Sequence, residues 1–354
     1  MKAWEQNFRR VEPYVPGEQP KEQGIIKLNT NENPYSPAKE VFDVLKTYNA
    51  DLERLYPDPT SDVLVSALAD WYGVEKEQVF PGVGSDDVLA IAFMTFFNSK
   101  KPILFPDITY SFYEVWADLF QIPYERPALK DDFRINPRDY DKENGGVILA
   151  NPNAPTSLCE NLDFLRDILD HNQDVVVIVD EAYIDFGGQS ALPLLEEYEN
   201  LLVVQTFSKS RSMAGARIGF AIGSKTLIKA MNDVKYSFNS YTMNRLALCM
   251  GVASLSNRNY FEECIEKIVE VRGWTKTELE KLGFNCLDSA TNFLFVTQNN
   301  GKAEDLFEYL KTKKIYVRYF KKERINDYLR VTIGTKEEME QFICEVKQYL
   351  RLQN

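Results

Sequence analysis

VVVIVDEAY, residues 175 to 183, is the stretch that decides the fold. Five consecutive apolar residues run into Asp180 without apolar–polar alternation, and their number suits a strand. Continuous apolar strands are typical of parallel sheets that are covered on both faces. Similar short runs, each bounded by Pro, Gly, Asn or Asp, occupy residues 102–105, 147–150, 202–206 and 218–222. We therefore predict a central, largely parallel sheet.

Segments with helical apolar patterns separate several of these strands. Residues 86–97 are apolar almost all round, which indicates a buried helix, and residues 164–169 have an amphipathic helical pattern. Strands that alternate with helices predict an α/β domain with helices packed on its sheet. The tail of the chain differs. A long helix over 261–282, strands near 293–297, 315–318 and 329–333, and a helix over 336–350 predict a smaller α+β domain.

The chain divides into three predicted parts. Four prolines within residues 1–35 indicate an extended N-terminal arm, which we expect to pack with the small domain. Residues 36–250 form the predicted large domain and residues 251–354 the small C-terminal domain.

Composition excludes several classes of function. The 354 residues carry a formal net charge of −12, which disfavours binding to nucleic acid or to anionic membranes. The sequence has no apolar run long enough for a membrane span, so we expect a cytoplasmic protein. His171 is the single histidine, so a Ser-His-Asp triad or a histidine-rich metal site is not expected. We predict no metal, and proton transfer must use lysine, tyrosine or carboxylates.

Reactive side chains follow two of the predicted strands. Asp180 and Tyr183 come at the end of one strand, and Ser208 and Lys209 follow the next. Ligands of open α/β sheets bind beyond the carboxyl ends of the strands, so these groups would meet at one edge. An acid at a strand end is also common in solvated turns, so Asp180 alone does not decide between the two.

Residues 81–87, PGVGSDD, precede the predicted buried helix. Glycines before a helix N-terminus expose backbone N–H groups that hold phosphate, although Ser85 could also be an ordinary helix cap. Together with Ser208 and Arg217, the segment favours a phosphate site. Pyridoxal phosphate needs a phosphate site, a lysine for its Schiff base and an acid for its ring nitrogen.

Nine motifs, in order, carry a resemblance to a known family. They are PYVPGEQP, LNTNENPYSP, LYPDP, GVGSDD, PDITYSFY, NPNAPTS, VDEAYIDF, TFSKSRSMAGARIG and YLRVTIGT. Over nearly its whole length the chain resembles the histidinol-phosphate aminotransferases of the fold-type I pyridoxal phosphate superfamily.

The resemblance implies roles around the cofactor. Lys209 would carry the Schiff base and move the proton, while Asp180 would pair with the pyridinium nitrogen. Tyr183 would hydrogen-bond the phenolic oxygen of the ring, and Tyr110 would stack on its face. The phosphate would be held by four residues: Ser85 and Asp86 through backbone N–H groups, and Ser208 and Arg217 through side chains.

The resemblance also implies a substrate site and an assembly. Arg330 would clamp a substrate carboxylate, and Arg318 and Tyr14 would lie near a phosphate or distal carboxylate. Two asparagines of the arm motif, Asn31 and Asn33, would fold over the substrate. The implied assembly is a homodimer with shared active sites, into which Tyr56 of LYPDP enters from the second subunit.

One motif departs from the family pattern. The family commonly has N-P-N-N-P-T-G, whose second central asparagine contacts the phenolic oxygen, whereas this chain has alanine at position 154 and serine at position 157. Either Asn153 makes that contact or Tyr183 makes it alone, and we expect Asn153 to make it.

The implied reaction is transamination. L-Glutamate would donate an amino group, and imidazole-acetol phosphate would accept it to become L-histidinol phosphate. Two enzymes of the same fold remain alternatives, an aromatic amino-acid aminotransferase and a threonine-phosphate decarboxylase. A binding protein that has lost catalysis is a third, which the presence of Lys209, Asp180 and Arg217 disfavours.

Overall fold

A computed structural model describes residues 2–298 and 302–353 of the chain. Thirteen strands lie within these residues: β1 Ile26–Lys27, β2 Val79–Gly82, β3 Ile103–Leu104, β4 Tyr124–Glu125, β5 Val147–Ala150, β6 Val177–Asp180, β7 Leu201–Thr206, β8 Gly219–Gly223, β9 Phe284–Cys286, β10 Phe293–Gln298, β11 Ile315–Tyr316, β12 Arg318–Tyr319 and β13 Tyr328–Thr332.

Ten α-helices accompany the strands in the described part of the chain. They are α1 Lys39–Thr47, α2 Asp62–Tyr72, α3 Ser85–Phe96, α4 Phe112–Phe120, α5 Leu162–Asp170, α6 Lys225–Phe238, α7 Arg245–Leu255, α8 Arg258–Lys281, α9 Ala303–Thr312 and α10 Lys336–Gln353. The helices predicted over 86–97, 164–169, 261–282 and 336–350 correspond to α3, α5, α8 and α10. None of the helices described is both long enough and apolar enough to cross a membrane.

The central sheet has seven strands in the order β2-β8-β7-β6-β5-β3-β4. Strands β3 to β7 pair in parallel, as the apolar runs predicted for β3, β5, β6 and β7; no run predicted β4. The prediction was wrong for residues 218–222, because β8 runs antiparallel to both β7 and β2. The link from β7 to β8 contains a short 3-10 turn, Ala214–Ala216, and no crossover helix. A parallel neighbour needs such a crossover, so the strand returns in the opposite direction.

Helices cover both faces of this sheet. Every residue of β5, β6 and β7 is buried. Ile148 and Ile178 face a core that includes α3 and α4, whereas Val147 and Val177 face a core that includes α5. Since neighbouring strand residues point to opposite faces, an unbroken apolar run gives each face its own core.

The C-terminal part is built on a second sheet. Four antiparallel strands lie in the order β12-β13-β10-β9, and α8, α9 and α10 share a core with them. The single strand predicted over 315–318 is two strands. The strand is interrupted at Val317, so that β11 pairs with β1 of the arm and β12 pairs with β13.

The N-terminal arm runs along this C-terminal part. Residues 8–25 have no regular secondary structure, and β1 then pairs in parallel with β11. Leu28, next along the arm, is buried in the core of α8, α9 and α10. The three-part division of the chain, with boundaries at 35 and 250, remains a prediction.

Candidate active site

A cavity opens beyond the carboxyl ends of β5, β6 and β7, whose last residues Ala150, Asp180 and Thr206 line it. Adjacent parallel strands end at the same edge of the sheet, so their terminal side chains meet there. Eight side chains predicted to hold the cofactor line the cavity: Ser85, Asp86, Tyr110, Asp180, Tyr183, Ser208, Lys209 and Arg217.

A second cavity continues from the first. Five residues line both: Thr30, Tyr110, Ala154, Tyr183 and Lys209. The second cavity is also lined by four residues predicted to bind substrate: Tyr14, Asn31, Arg318 and Arg330. The tertiary structure thus brings the arm, the central sheet and the C-terminal sheet to one connected site.

Lys209 lies in the loop that follows β7. Its Nζ donates a hydrogen bond to the carbonyl oxygen of Thr30 at 3.3 Å and lies 5.6 Å from the centre of the Tyr183 ring. Asn33 reaches across from the arm, and its Nδ2 donates to the backbone carbonyls of Lys209 and Ser210. Asn33 lines neither cavity. Its contacts therefore hold the lysine loop against the arm.

Asp180 is a buried acid at the end of β6. Tyr113 Oη donates to its Oδ2 at 2.7 Å, and the backbone N–H of Ala182 donates to its Oδ1 at 3.2 Å. Burial raises the pKa of Asp180 to about 6, although both hydrogen bonds oppose the rise. A cation placed beside the carboxyl would favour its ionised form.

Tyr113 was not predicted as a site residue. It lies three residues after Tyr110, at the first turn of α4, and is fully buried. Tyr110 precedes the helix, so helical spacing does not link the two residues, and only the tertiary structure brings their rings edge to face at 5.6 Å.

The N-terminus of α3 forms one end of the first cavity, which Ser85 and Asp86 line. Gly84 has φ +81°, in the left-handed region that favours glycine. A Cβ at Gly219 would lie only 2.3 Å from the backbone nitrogen of Ser85, so glycine allows β8 to approach the helix N-terminus closely. Arg217 directly follows the 3-10 turn Ala214–Ala216, and its Nη2 donates to Asp86 Oδ2 at 3.1 Å. Tyr110 Oη donates to Asp86 Oδ1 at 2.8 Å, so the carboxylate holds both neighbours.

Two guanidinium groups form the far end of the second cavity. Arg318 and Arg330 lie 5.4 and 5.6 Å from the centre of the Phe320 ring. Arg330 Nη2 donates to the carbonyl oxygen of Asn29 at 2.9 Å. Burial lowers the pKa of Arg330, and the charge of Arg318 also lowers it. No carboxylate of residues 2–298 or 302–353 forms a salt bridge with either arginine.

Two predicted cofactor residues do not reach the cavities. Asn153 is buried and both of its amide N–H donors are used: Nδ2 donates to Ile108 O and Thr156 Oγ1, while Oδ1 accepts from Thr109 Oγ1. The contact expected from Asn153 is therefore not available, and Ala154 lines both cavities instead. Tyr56 lies on the surface, 79% exposed, with its ring 4.6 Å from that of Tyr241.

The side chains of the first cavity fit pyridoxal phosphate. Lys209 offers an amine, and Asp180 offers a buried carboxyl for a protonated ring nitrogen. A helix N-terminus, Ser208 and Arg217 lie together at the opposite end, where a phosphate would be neutralised.

Comparison with known proteins identifies the family. Residues 23–346 match the family described as aminotransferase class I and II. The chain belongs to this family, and its cofactor is pyridoxal 5'-phosphate.

Within the family, the chain groups with the histidinol-phosphate aminotransferases. It is 50% identical over 349 residues to the one from Clostridium botulinum strain Langeland, covering 99% of each chain. It is 52% identical over 347 residues to the one from Clostridium beijerinckii, covering 98% of this chain and 97% of that one. The crystal structure of histidinol-phosphate aminotransferase from Sinorhizobium meliloti in complex with pyridoxal-5'-phosphate has the same fold. Its TM-score is 0.84 at 22% identity, over 93% of this chain and 92% of that chain.

Proposed function

We propose that this chain is a transaminase of histidine biosynthesis, which interconverts L-histidinol phosphate and 2-oxoglutarate with imidazole-acetol phosphate and L-glutamate. Over nearly its full length, the chain shares about half of its residues with histidinol-phosphate aminotransferases, which supports this substrate pair. In the structure, the observation that carries the proposal is the pair Arg318 and Arg330. They are two cations without an acidic partner in the described residues, at the end of a cavity that begins at Lys209.

Both substrates need such an end to the cavity. L-Histidinol phosphate ends in a phosphate and L-glutamate in a carboxylate. A guanidinium binds either group through paired N–H donors. Tyr14 narrows the same cavity, with its ring 4.2 Å from that of Phe112 in a stacked arrangement. Arg318, Arg330 and Tyr14 would thus hold the anionic end of either substrate at a fixed distance from Lys209.

Each cofactor-site residue has a defined task in this proposal. Pyridoxal phosphate, when bound, supplies a carbonyl group for amine capture and a ring that accepts electrons. Lys209 Nζ takes and returns the proton of the substrate carbon. Asp180 would keep a proton on the ring nitrogen, and the Tyr183 hydroxyl would donate to the phenolic oxygen. Four further residues hold the phosphate or the ring face: Ser85, Ser208, Arg217 and Tyr110.

The assembly we propose is a homodimer with shared active sites. Among the described residues, nine of the fourteen exposed large apolar side chains lie in residues 42–63 and 236–241, and four more lie in residues 4–15 of the arm; Tyr56 is the most exposed of all. The segments 42–63 and 236–241 are joined by the Tyr56–Tyr241 stack and by a hydrogen bond from Tyr236 Oη to Pro59 O at 3.4 Å. A surface of this kind is typical of an interface with a second copy. The cytoplasmic location expected from the sequence remains a prediction.

The first test is the visible spectrum of the cofactor-loaded protein during titration with L-histidinol phosphate. We expect the visible band to be replaced by a band at shorter wavelength, and 2-oxoglutarate to restore it. Lys209→Ala should lack turnover, because Lys209 is the only lysine among the described residues that line the first cavity. A band that responds only to phenylalanine would move the function to an aromatic aminotransferase. Carbon dioxide release from threonine phosphate would move it to a decarboxylase.

A further inference from the structure

The wall of the site beside Tyr183 has no side-chain amide from the NPNAPTS segment. Ala154 presents a methyl group to both cavities, and the Asn153 amide is committed to Thr109, Ile108 and Thr156. That segment therefore supplies no side-chain donor to the phenolic oxygen of the cofactor. Any additional polar support for this oxygen must come from another part of the chain.

The arm supplies an amide at this place. Asn31 is buried, lines the second cavity and donates from Nδ2 to Tyr183 Oη at 2.9 Å. Its orientation is fixed by Thr332, whose Oγ1 accepts from the backbone N–H of Asn31 and donates to its Oδ1 at 2.9 Å. Asn292 Nδ2 donates to the Asn31 carbonyl oxygen at 3.0 Å. Two residues of the C-terminal part thus hold the amide against the Tyr183 hydroxyl.

We infer that Asn31 is a positioning residue that acts through Tyr183. A hydroxyl has one hydrogen and two lone pairs, so an N–H that occupies one lone pair leaves the hydrogen free to donate. The same donation strengthens the tyrosine as a donor, because linked hydrogen bonds polarise one another. Tyr183 would then hold the phenolic oxygen alone, with Asn31 behind it. This inference rests on the proposed attachment of the cofactor at Lys209.

The charges around this pair are the same in every variant used to test it. The groups that act electrostatically on Tyr183 or Lys209 come from the arm, the central sheet and the C-terminal sheet: Tyr14, Glu32, Tyr113, Asp180 and Arg330. Because Asn31 is uncharged, its replacement by glycine changes a hydrogen bond and leaves these charges in place. Glycine is also the suitable replacement because Asn31 has φ +57°, a conformation that costs most other residues energy.

The test is a pH titration of the visible band of the cofactor-loaded enzyme. Its midpoint is the apparent pKa of the Schiff base that the cofactor would form with Lys209. Donors to the phenolic oxygen stabilise its anion and lower this midpoint, so Asn31→Gly should raise it by about 0.5–1 pH unit. Tyr183→Phe should raise it further, and Asn31→Gly should add nothing in the Tyr183→Phe background, since the effect passes through the hydroxyl. Thr332→Val, which removes the hydroxyl that orients the Asn31 amide, serves as a second variant if Asn31→Gly does not retain the cofactor, and it should raise the midpoint in the same direction.

Asn200→Ala is the matched control. Asn200 is half-buried, and its amide donates to the backbone carbonyls of Asn172 and Val175 away from both cavities. Its replacement should leave the midpoint unchanged. An unchanged midpoint in Asn31→Gly, or an equal shift in the presence and absence of the Tyr183 hydroxyl, would overturn the inference while leaving the proposed function intact. A wild-type protein that shows no visible band when loaded with the cofactor would overturn the attachment at Lys209 and this inference together.

Discussion

At the scale of single residues, Arg330 is a buried cation that lacks an anionic partner among the described residues. One face of its guanidinium is near Phe293 and another near Phe320, and its Nε is buried without a hydrogen-bond partner. A buried cation normally needs an anion, because losing water is costly. Arg330 has none within the described residues, so an anionic substrate group would supply the missing partner.

Replacing Arg330 by lysine should therefore weaken substrate binding without removing the positive charge. We expect kcat/KM for L-histidinol phosphate to fall by about 30- to 100-fold, because lysine cannot form the paired N–H contacts of a guanidinium. Steady-state kinetics at saturating 2-oxoglutarate would measure the fall. Arg126→Lys is the matched control, since Arg126 pairs with Glu114 on the surface and lines neither cavity. Equal kinetic constants for Arg330→Lys and Arg126→Lys would contradict the assignment.

At the scale of elements, the end of β6 presents two acids to two different environments. Asp180 lines the cavity, whereas Glu181 is buried in a separate network. Glu181 accepts hydrogen bonds from Ser190 Oγ, the backbone N–H of Ala191 and Gln205 Nε2, and Gln205 Oε1 accepts one from Tyr72 Oη. Burial nevertheless raises the pKa of Glu181 to about 7, so this element carries an acid whose ionisation opposes folding.

The predicted consequence is a pH-dependent gain from Glu181→Gln. Because folding raises the pKa of Glu181, the folded wild-type protein is most stable at a pH where Glu181 is protonated in both states. This contribution to the free energy of unfolding is lost as pH rises from about 4.5 through about 7. The free energy of unfolding of the variant relative to wild type should therefore increase by up to about 3 kcal/mol over that range. Urea denaturation of the cofactor-loaded proteins, at one protein concentration and several pH values, would measure it. Glu199→Gln, at an exposed position, should show no such trend. A pH-independent difference for Glu181→Gln would refute the prediction.

At the scale of the whole molecule, the loop that carries Tyr56 is held firmly while its tip is exposed. Arg245 Nη2 donates to the Tyr56 carbonyl oxygen at 2.8 Å, and buried Lys235 donates to Pro59 O at 2.9 Å. The Tyr56 ring is nevertheless among the most exposed aromatic groups of the chain. A well-held loop with an exposed aromatic tip is suited to insertion into a second copy.

Mixing two inactive variants tests whether the site is shared. If Tyr56 completes the active site of the partner subunit, then Tyr56 and Lys209 of any one site come from different subunits. A hybrid dimer of Tyr56→Ala and Lys209→Ala then has one site in which both residues are intact. Equal mixing should then restore up to about a quarter of wild-type activity, because half of the dimers are hybrids with one intact site of two. A mixture of Lys209→Ala with Asp180→Ala is the control and should stay inactive, since both residues come from one subunit. No recovery in the first mixture, with subunit exchange verified by mass, would rule out a shared site.

The sequence by itself determined the central sheet and its reactive edge. Unbroken apolar runs are local signals, and they predicted β5, β6 and β7 to within two residues at each end. Because parallel strands end together, chain order alone was enough to bring Asp180, Tyr183 and Lys209 to one edge.

Only the tertiary structure decided the remaining features. Three features depend on tertiary contacts that the periodicity of apolar residues does not specify. They are the antiparallel direction of β8, the interruption of the strand at Val317 and the hydrogen bonds of the Asn153 amide. The bond from Asn31 to Tyr183 joins residues 152 positions apart, and those from Thr332 to Asn31 join residues 301 apart. Hydrogen bonds between such distant residues form only after the arm and both sheets have packed, because packing alone brings their donors and acceptors within reach.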